Sequence, residues 1–92
     1  MNKGELVDAI ASQVSVTKKQ AEAVLNAFID TITENVADGN KVVLVGFGTF
    51  ERRERKERMG RNPKSGEEML IPATTVPAFS AGKVFKEKVA NN

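Results

Sequence analysis

Apolar positions recur at helical spacing from the start of the chain. Leu6, Val7, Ile10, Ala11 and Val14 share one face of a short helix over 3–14. Glu5 and Asp8 fall early in it, where the helix dipole favours anions, and Asn2 stands in the capping position. After the link "SVT", Thr17 and Gln20 form a capping-box pattern that opens a second helix over 18–38, with Gly39 as its stop. Its apolar positions are Ala21, Val24, Leu25, Phe28, Ile29, Ile32 and Val36, with Ala23 and Ala27 beside them. That stripe is wider than one small sheet needs, so a second subunit is expected against part of it.

The period then changes to that of strands. "KVVLV" (41–45) is a continuous apolar run, which predicts a strand buried on both faces. Gly46 permits a turn, and "FGTF" begins the next strand, with Phe47 and Phe50 as core aromatics. From Glu51 to Arg58 every residue is charged. A helix is one reading, since Glu54 and Arg58 form a favourable i,i+4 pair. A strand is the better one, because the preceding residues already commit to it and no cap precedes Glu51. The turn-rich "GRNPKSG" (60–66) and the apolar residues after it then make a reversal and a returning strand.

The result is a long β-hairpin. Eight extended residues span roughly 26 Å, more than a small body covers, so an arm is expected that is mobile until a ligand orders it. Pro72 and Pro77 predict that the returning strand lies at an edge or contains bulges. Val76 and Phe79 bring the chain back to the core. Ser80 is a candidate cap for a last helix over 81–90, with Val84, Phe85 and Val89 inward and Lys83, Lys86 and Lys88 outward. The fold class is α+β, one domain over 1–92: a helical base (1–40), a three-stranded antiparallel sheet (41–80) carrying an arm (51–75), and the final helix.

Composition narrows what such a domain does. A chain of 92 residues buries only about 60–65% of its unfolded surface, so oligomerisation would help it. It contains no cysteine and no histidine, which removes disulfides, thiol chemistry, imidazole metal sites and the Ser-His-Asp triad. No carboxylate pair lies in apolar surroundings that would tune it, and no phosphate-binding glycine loop is present. An enzyme, a metal and a cofactor are therefore not expected. The opening "MNKGELVD" becomes charged too soon for a signal peptide, and no apolar run approaches ~18 residues. A cytoplasmic protein with no membrane partner is expected.

Net charge is only +2, but its distribution is uneven. Residues 52–64 hold seven basic side chains against two acidic ones, a net of +5 that leaves −3 for the rest. A cationic arm on an acidic-leaning body suits an extended polyanion, and five of the seven cations are arginines, which fork onto phosphates and enter narrow grooves. The chain has no tryptophan or tyrosine, and its phenylalanines (28, 47, 50, 79, 85) occupy core positions. No stacking platform for unpaired bases is available, which favours duplex DNA and leaves RNA as an open but unpredicted partner. Pro63 has two readings. It is a plain turn-former, or it is a rigid apolar wedge whose neighbours Arg61 and Lys64 hold the flanking phosphates.

"MNKGELVDAIA", "VGFGTF" (45–50), "GRNPKSG" and "VPAFSAGK" (76–83) together resemble the bacterial histone-like HU/IHF family, nearest its cyanobacterial HU branch, over essentially the whole chain. The resemblance implies an intertwined homodimer whose two arms wrap the minor groove, and bending and compaction of nucleoid DNA with little sequence preference. HU and IHF are themselves known wedge-inserting groove binders. It further implies that Pro63 intercalates, that Arg53, Arg55, Arg58 and Arg61 are basic arm contacts beside Asn62, and that Lys3, Lys83 and Lys86 meet flanking DNA. Phe47, Phe50 and Phe79, with Phe28, would form the dimer core. Glu51, Glu54, Glu57, Glu67 and Glu68 moderate the arm's charge. Two alternatives are a sequence-specific factor of the IHF kind and a protein-interaction module whose arm takes an acidic partner.

Overall fold

Asn2 opens the first helix as expected: the Glu5 N–H donates to its Oδ1 at 2.9 Å. Helix α1 spans Lys3–Val14 and α2 spans Lys18–Ala37 in the computed structural model, which describes residues 1–91. The capping box forms in full. The Gln20 N–H donates to Thr17 Oγ1 at 3.1 Å, and the Thr17 N–H donates to Gln20 Oε1 at 3.0 Å. Two compact units divide the chain, Met1–Glu34 and a second beginning at Asn35.

In the first unit, Val7 and Ala11 of α1 pack on Ala21 of α2, with Ile10 and Leu25 against them. Ala21 is only 2% exposed; its small side chain lets the helices approach closely. Lys18 and Asp8 add a surface ion pair at 3.3 Å, worth little by itself. Part of the wide stripe stays open: Val24, Phe28 and Ile29 are all exposed.

In the second unit, α2 ends where Gly39 adopts φ +90° and its N–H donates to Val36 O at 3.0 Å. Strands β1 (Val42–Leu44), β2 (Gly48–Arg55) and β5 (Thr74–Ala81) form an antiparallel sheet in the order β1-β2-β5. Strands β3 (Arg58–Arg61) and β4 (Glu68–Ile71) form a two-stranded sheet beyond it. The charged run is thus a strand, not a helix. Pairing runs from Gly48 opposite Ala81 to Arg55 opposite Thr74, then resumes from Arg58 opposite Ile71 to Arg61 opposite Glu68. Both strands skip two residues at the break, so the register is unchanged across it. Pro72, which has no N–H to donate, lies in that gap. Pro77 sits on β5, an edge of its sheet, as expected of proline.

Three expectations need correction. "KVVLV" is not buried on both faces: β1 has only three residues, Val43 is 62% exposed, and Val45 lies in the turn at 99% exposure. The face of Val42 and Leu44 is half-buried, while the face of Val43 is left open. Ser80 does not cap the last helix. It remains in β5, and α3 begins later, at Lys83–Ala90, with Gly82 as N-cap. The Gly82 N–H instead donates to Phe47 O at 2.8 Å, which ties the helix entry to the β1–β2 turn. Of Val84, Phe85 and Val89, only Phe85 is half-buried. A two-turn helix anchored by one aromatic leaves its other apolar positions uncovered within a single chain.

Phe85 joins a ring cluster. Phe50 and Phe79 face each other across the ladder at 4.8 Å between centroids, Phe47 meets Phe79 at 5.1 Å, and Phe47 stacks on Phe85 at 5.2 Å. Phe47 and Phe79 nonetheless remain 41% exposed. Gly48 lies directly beneath Phe79. A Cβ there would meet two ring carbons at 2.5 Å and the Ser80 carbonyl oxygen at 2.6 Å.

At the root of the arm, Glu51 gathers Lys41 and Arg53. Its Oε2 is 3.5 Å from Lys41 Nζ, and its Oε1 accepts from Arg53 Nε at 3.3 Å and Nη2 at 3.1 Å. Arg53 Nη2 also donates to Ser80 Oγ at 2.9 Å. The Arg53 hydrogen bond, helped by the charges of Lys41 and Arg53, holds the Glu51 carboxyl below its ordinary value of 4.5 despite an opposing desolvation effect.

Two outcomes test this packing. Gly48→Ala should destabilise the fold by roughly 1–3 kcal/mol through overpacking, since the Ser80 backbone cannot yield; an unchanged denaturation midpoint would refute the close contact. Glu51 should titrate by NMR below 4.5, and Arg53→Gln should raise that midpoint. Because the folded-state pKa is depressed, the stabilisation is present above the unfolded-state pKa and lost as pH falls through the folded one. A wild-type midpoint at or above 4.5 would exclude the network.

Candidate nucleic-acid interface

The loop at the end of the hairpin is built on Asn62. Its Oδ1 accepts the Lys64 N–H at 2.9 Å, spanning Pro63 in an Asx turn. Its backbone carbonyl accepts the Gly66 N–H at 2.8 Å, and its own N–H donates to Glu67 O at 2.8 Å. Ser65 Oγ accepts the Glu67 N–H at 3.3 Å. Gly66 takes φ +74°, a left-handed conformation that a side chain would strain. Local hydrogen bonds thus fix the loop, while the Pro63 ring stands exposed upon it. Asn62 is half-buried, and its side chain is engaged within the turn that spans Pro63.

The cations behind this tip are not equivalent. Arg52 Nη1 donates to the Ala37 carbonyl at 3.1 Å, satisfying an end group of α2. Arg53 is held by Glu51 and Ser80. Arg55, Lys56, Arg58, Arg61 and Lys64 are exposed and, among the described residues, their side chains have no hydrogen-bond or ion-pair partner. Arg61 stands opposite Glu68 in the ladder without forming an ion pair with it. The hairpin therefore presents five free cations between its root and tip. A charge count alone does not separate them from Arg52 and Arg53, because only tertiary contacts reveal which guanidiniums are engaged.

The hairpin brings Arg55, Arg58, Arg61, Asn62, Pro63 and Lys64 together, with Arg53 at its root. Lys83 and Lys86 lie on α3; Lys83 pairs weakly with Glu87 at 3.9 Å, and Lys86 is exposed. Lys3 and Phe28 belong to the first unit. Lys56 is a free arm cation that the motif resemblance passed over, although its place within the charged run was signal enough. Phe85 was likewise recognisable as apolar, but not as a member of the Phe47–Phe50–Phe79 cluster. Among the described residues there is no cluster of three or more metal-ligating side chains that could hold an ion, and no helix is long and apolar enough to cross a membrane.

Comparisons with known proteins agree with this geometry. Residues 1–90 match the family of bacterial DNA-binding proteins. DNA-binding protein HU of Nostoc is 71% identical over 90 residues, covering 98% of this chain and 96% of the relative. The HU protein of Synechocystis is 65% identical over 96 residues, with the same coverage. An Anabaena HU–DNA cocrystal structure superposes with a TM-score of 0.94 at 70% identity over 100% of both chains. HU from Thermotoga maritima gives 0.69 at 36% identity over 97% of this chain and 98% of that one. Matched along nearly its full length in both sequence and fold, this chain belongs to the bacterial DNA-binding protein family.

Proposed function

We propose that this chain is a non-enzymatic architectural protein that binds, bends and compacts double-stranded DNA in the cytoplasmic nucleoid, with little sequence preference. The observation that carries the reading is the exposed Pro63 on a hydrogen-bonded tip, at the end of a hairpin with five cations that are unpaired among the described residues. A two-stranded ribbon is slim enough to follow a minor groove. Arg55, Lys56, Arg58, Arg61 and Lys64 neutralise phosphates, and Pro63 enters a base step as a wedge. Arg53 contributes once it leaves Glu51, and Lys3, Lys83 and Lys86 meet flanking DNA. The likeness to an HU protein crystallised with DNA supports this reading.

The working species is a homodimer, with the whole of 1–92 as one functional domain. Val24, Phe28 and Ile29 on α2, and Val43, Phe47 and Phe79 on the sheet, are too many exposed apolar side chains for a lone chain of this size. A second copy would cover them, with Phe28, Phe47, Phe50 and Phe79 in its core.

Phosphate neutralisation makes affinity depend steeply on salt. If each of the five free cations meets one phosphate, log affinity should fall against log salt with a slope of about −4.5 per arm. A gel-shift series across salt measures this, and a flat response excludes the reading. Pro63→Ala should reduce the bend angle in a fluorescence-transfer assay while leaving dimerisation and the salt slope in place. An unchanged angle removes the wedge from the mechanism.

A further inference from the structure

We propose that Met59 and Met69 form a peroxide-responsive modification site on the arm, whose oxidation loosens the outer sheet and weakens duplex binding. The inference rests on the DNA-binding reading above for its functional consequence. Its chemistry rests on the β3–β4 ladder alone.

The chain has no cysteine, so its sulfur chemistry belongs to its three methionines. Two lie in the outer sheet, and both are open: Met59 is 61% exposed and Met69 48%. Met59 stands directly opposite Leu70, and Met69 directly opposite Gly60. Cross-strand partners share a face, so the two sulfurs lie on opposite faces of the ribbon. Each face is held by one thioether and one aliphatic side chain. Met59 stands opposite Leu70 on one; Met69 shares the other with Ile71, which lies so close over Gly60 that a Cβ there would come within 2.6 Å of its Cδ1. The remaining residues of the two strands are Arg58, Gly60, Arg61 and Glu68. The apolar side chains of this sheet are therefore the two methionines, Leu70 and Ile71.

A sulfur lone pair of each thioether attacks one oxygen of hydrogen peroxide. The O–O bond breaks, the sulfur is oxidised by two electrons to the sulfoxide, and the peroxide is reduced to water. The product is polar and no longer packs as a flexible apolar chain. A two-stranded ribbon of four residues a side is marginal even when intact. Losing the apolar contact on both faces shifts it towards an unpaired state, which scatters the cations it aligns. Nothing in the body is comparably exposed to the same chemistry except Met1, which stands outside the arm.

The test treats the full-length protein with hydrogen peroxide, locates the added oxygen by peptide mass spectrometry, and follows two readouts. Amide exchange of 58–61 and 68–71 should accelerate on oxidation while that of α1 stays unchanged. Duplex affinity should fall roughly threefold to tenfold, the scale set by weakening two cross-strand pairs. A Met59→Leu, Met69→Leu variant, still oxidisable at Met1, should keep both properties after treatment. Oxidation of both methionines with unchanged amide exchange overturns the proposal whether or not the untreated protein binds DNA. Unchanged affinity with altered exchange overturns its functional half. Failure of the untreated protein to bind any duplex strikes the reading in Proposed function and leaves the exchange result to decide the chemistry.

Discussion

A single antiparallel register organises the second half of this protein. It begins where Gly48 lies opposite Ala81 and ends where Arg61 lies opposite Glu68, keeping step across the gap at Pro72. The inner part of that ladder is anchored by aromatic packing: Phe50 faces Phe79, and Gly48 lies so near the Phe79 ring that no side chain fits between them. The outer part has no such anchor. Its pairing carries the cations outward only because the inner register aims it, and a one-residue slip would turn every side chain to the opposite face.

The charges obey the same division. Near the body, cations are consumed by the fold: Arg52 satisfies a carbonyl of α2, and Arg53 is gathered with Lys41 around Glu51. Towards the tip, among the described residues, they have no hydrogen-bond or ion-pair partner and stay exposed. The arm is thus graded along its length. Its root is structural, its middle electrostatic, and its tip a rigid ring whose loop is closed by backbone and Asn62 hydrogen bonds.

Incomplete burial is the third element. Among the described residues the buried apolar side chains are small in number and size, Val7, Ala11, Ala21 and Val36, while the aromatic cluster stays partly open. A chain of this length has little volume to spare for a core, because its surface is large relative to its interior. Association is the physical remedy: open apolar side chains on α2 and, separately, on the sheet leave surface for a second copy of the chain to cover.

Much of this was legible in the residues. Caps at Asn2 and Thr17, the stop at Gly39 and the hairpin reversal all act over a few residues, so local sequence specifies them. A projecting hairpin could also be read, since a charged run with no breaker before a turn must leave the body. Other features depended on groups distant in sequence. Ser80 looked like a helix cap, but β5 pairing and Arg53 claimed it. "KVVLV" looked like a central strand, but its neighbours left one face bare. Which arginines are free, and which are spent on a carbonyl or a carboxylate, was decided only when α2, β2 and β5 came together, because a guanidinium's partners are set by tertiary distance and not by its place in the run.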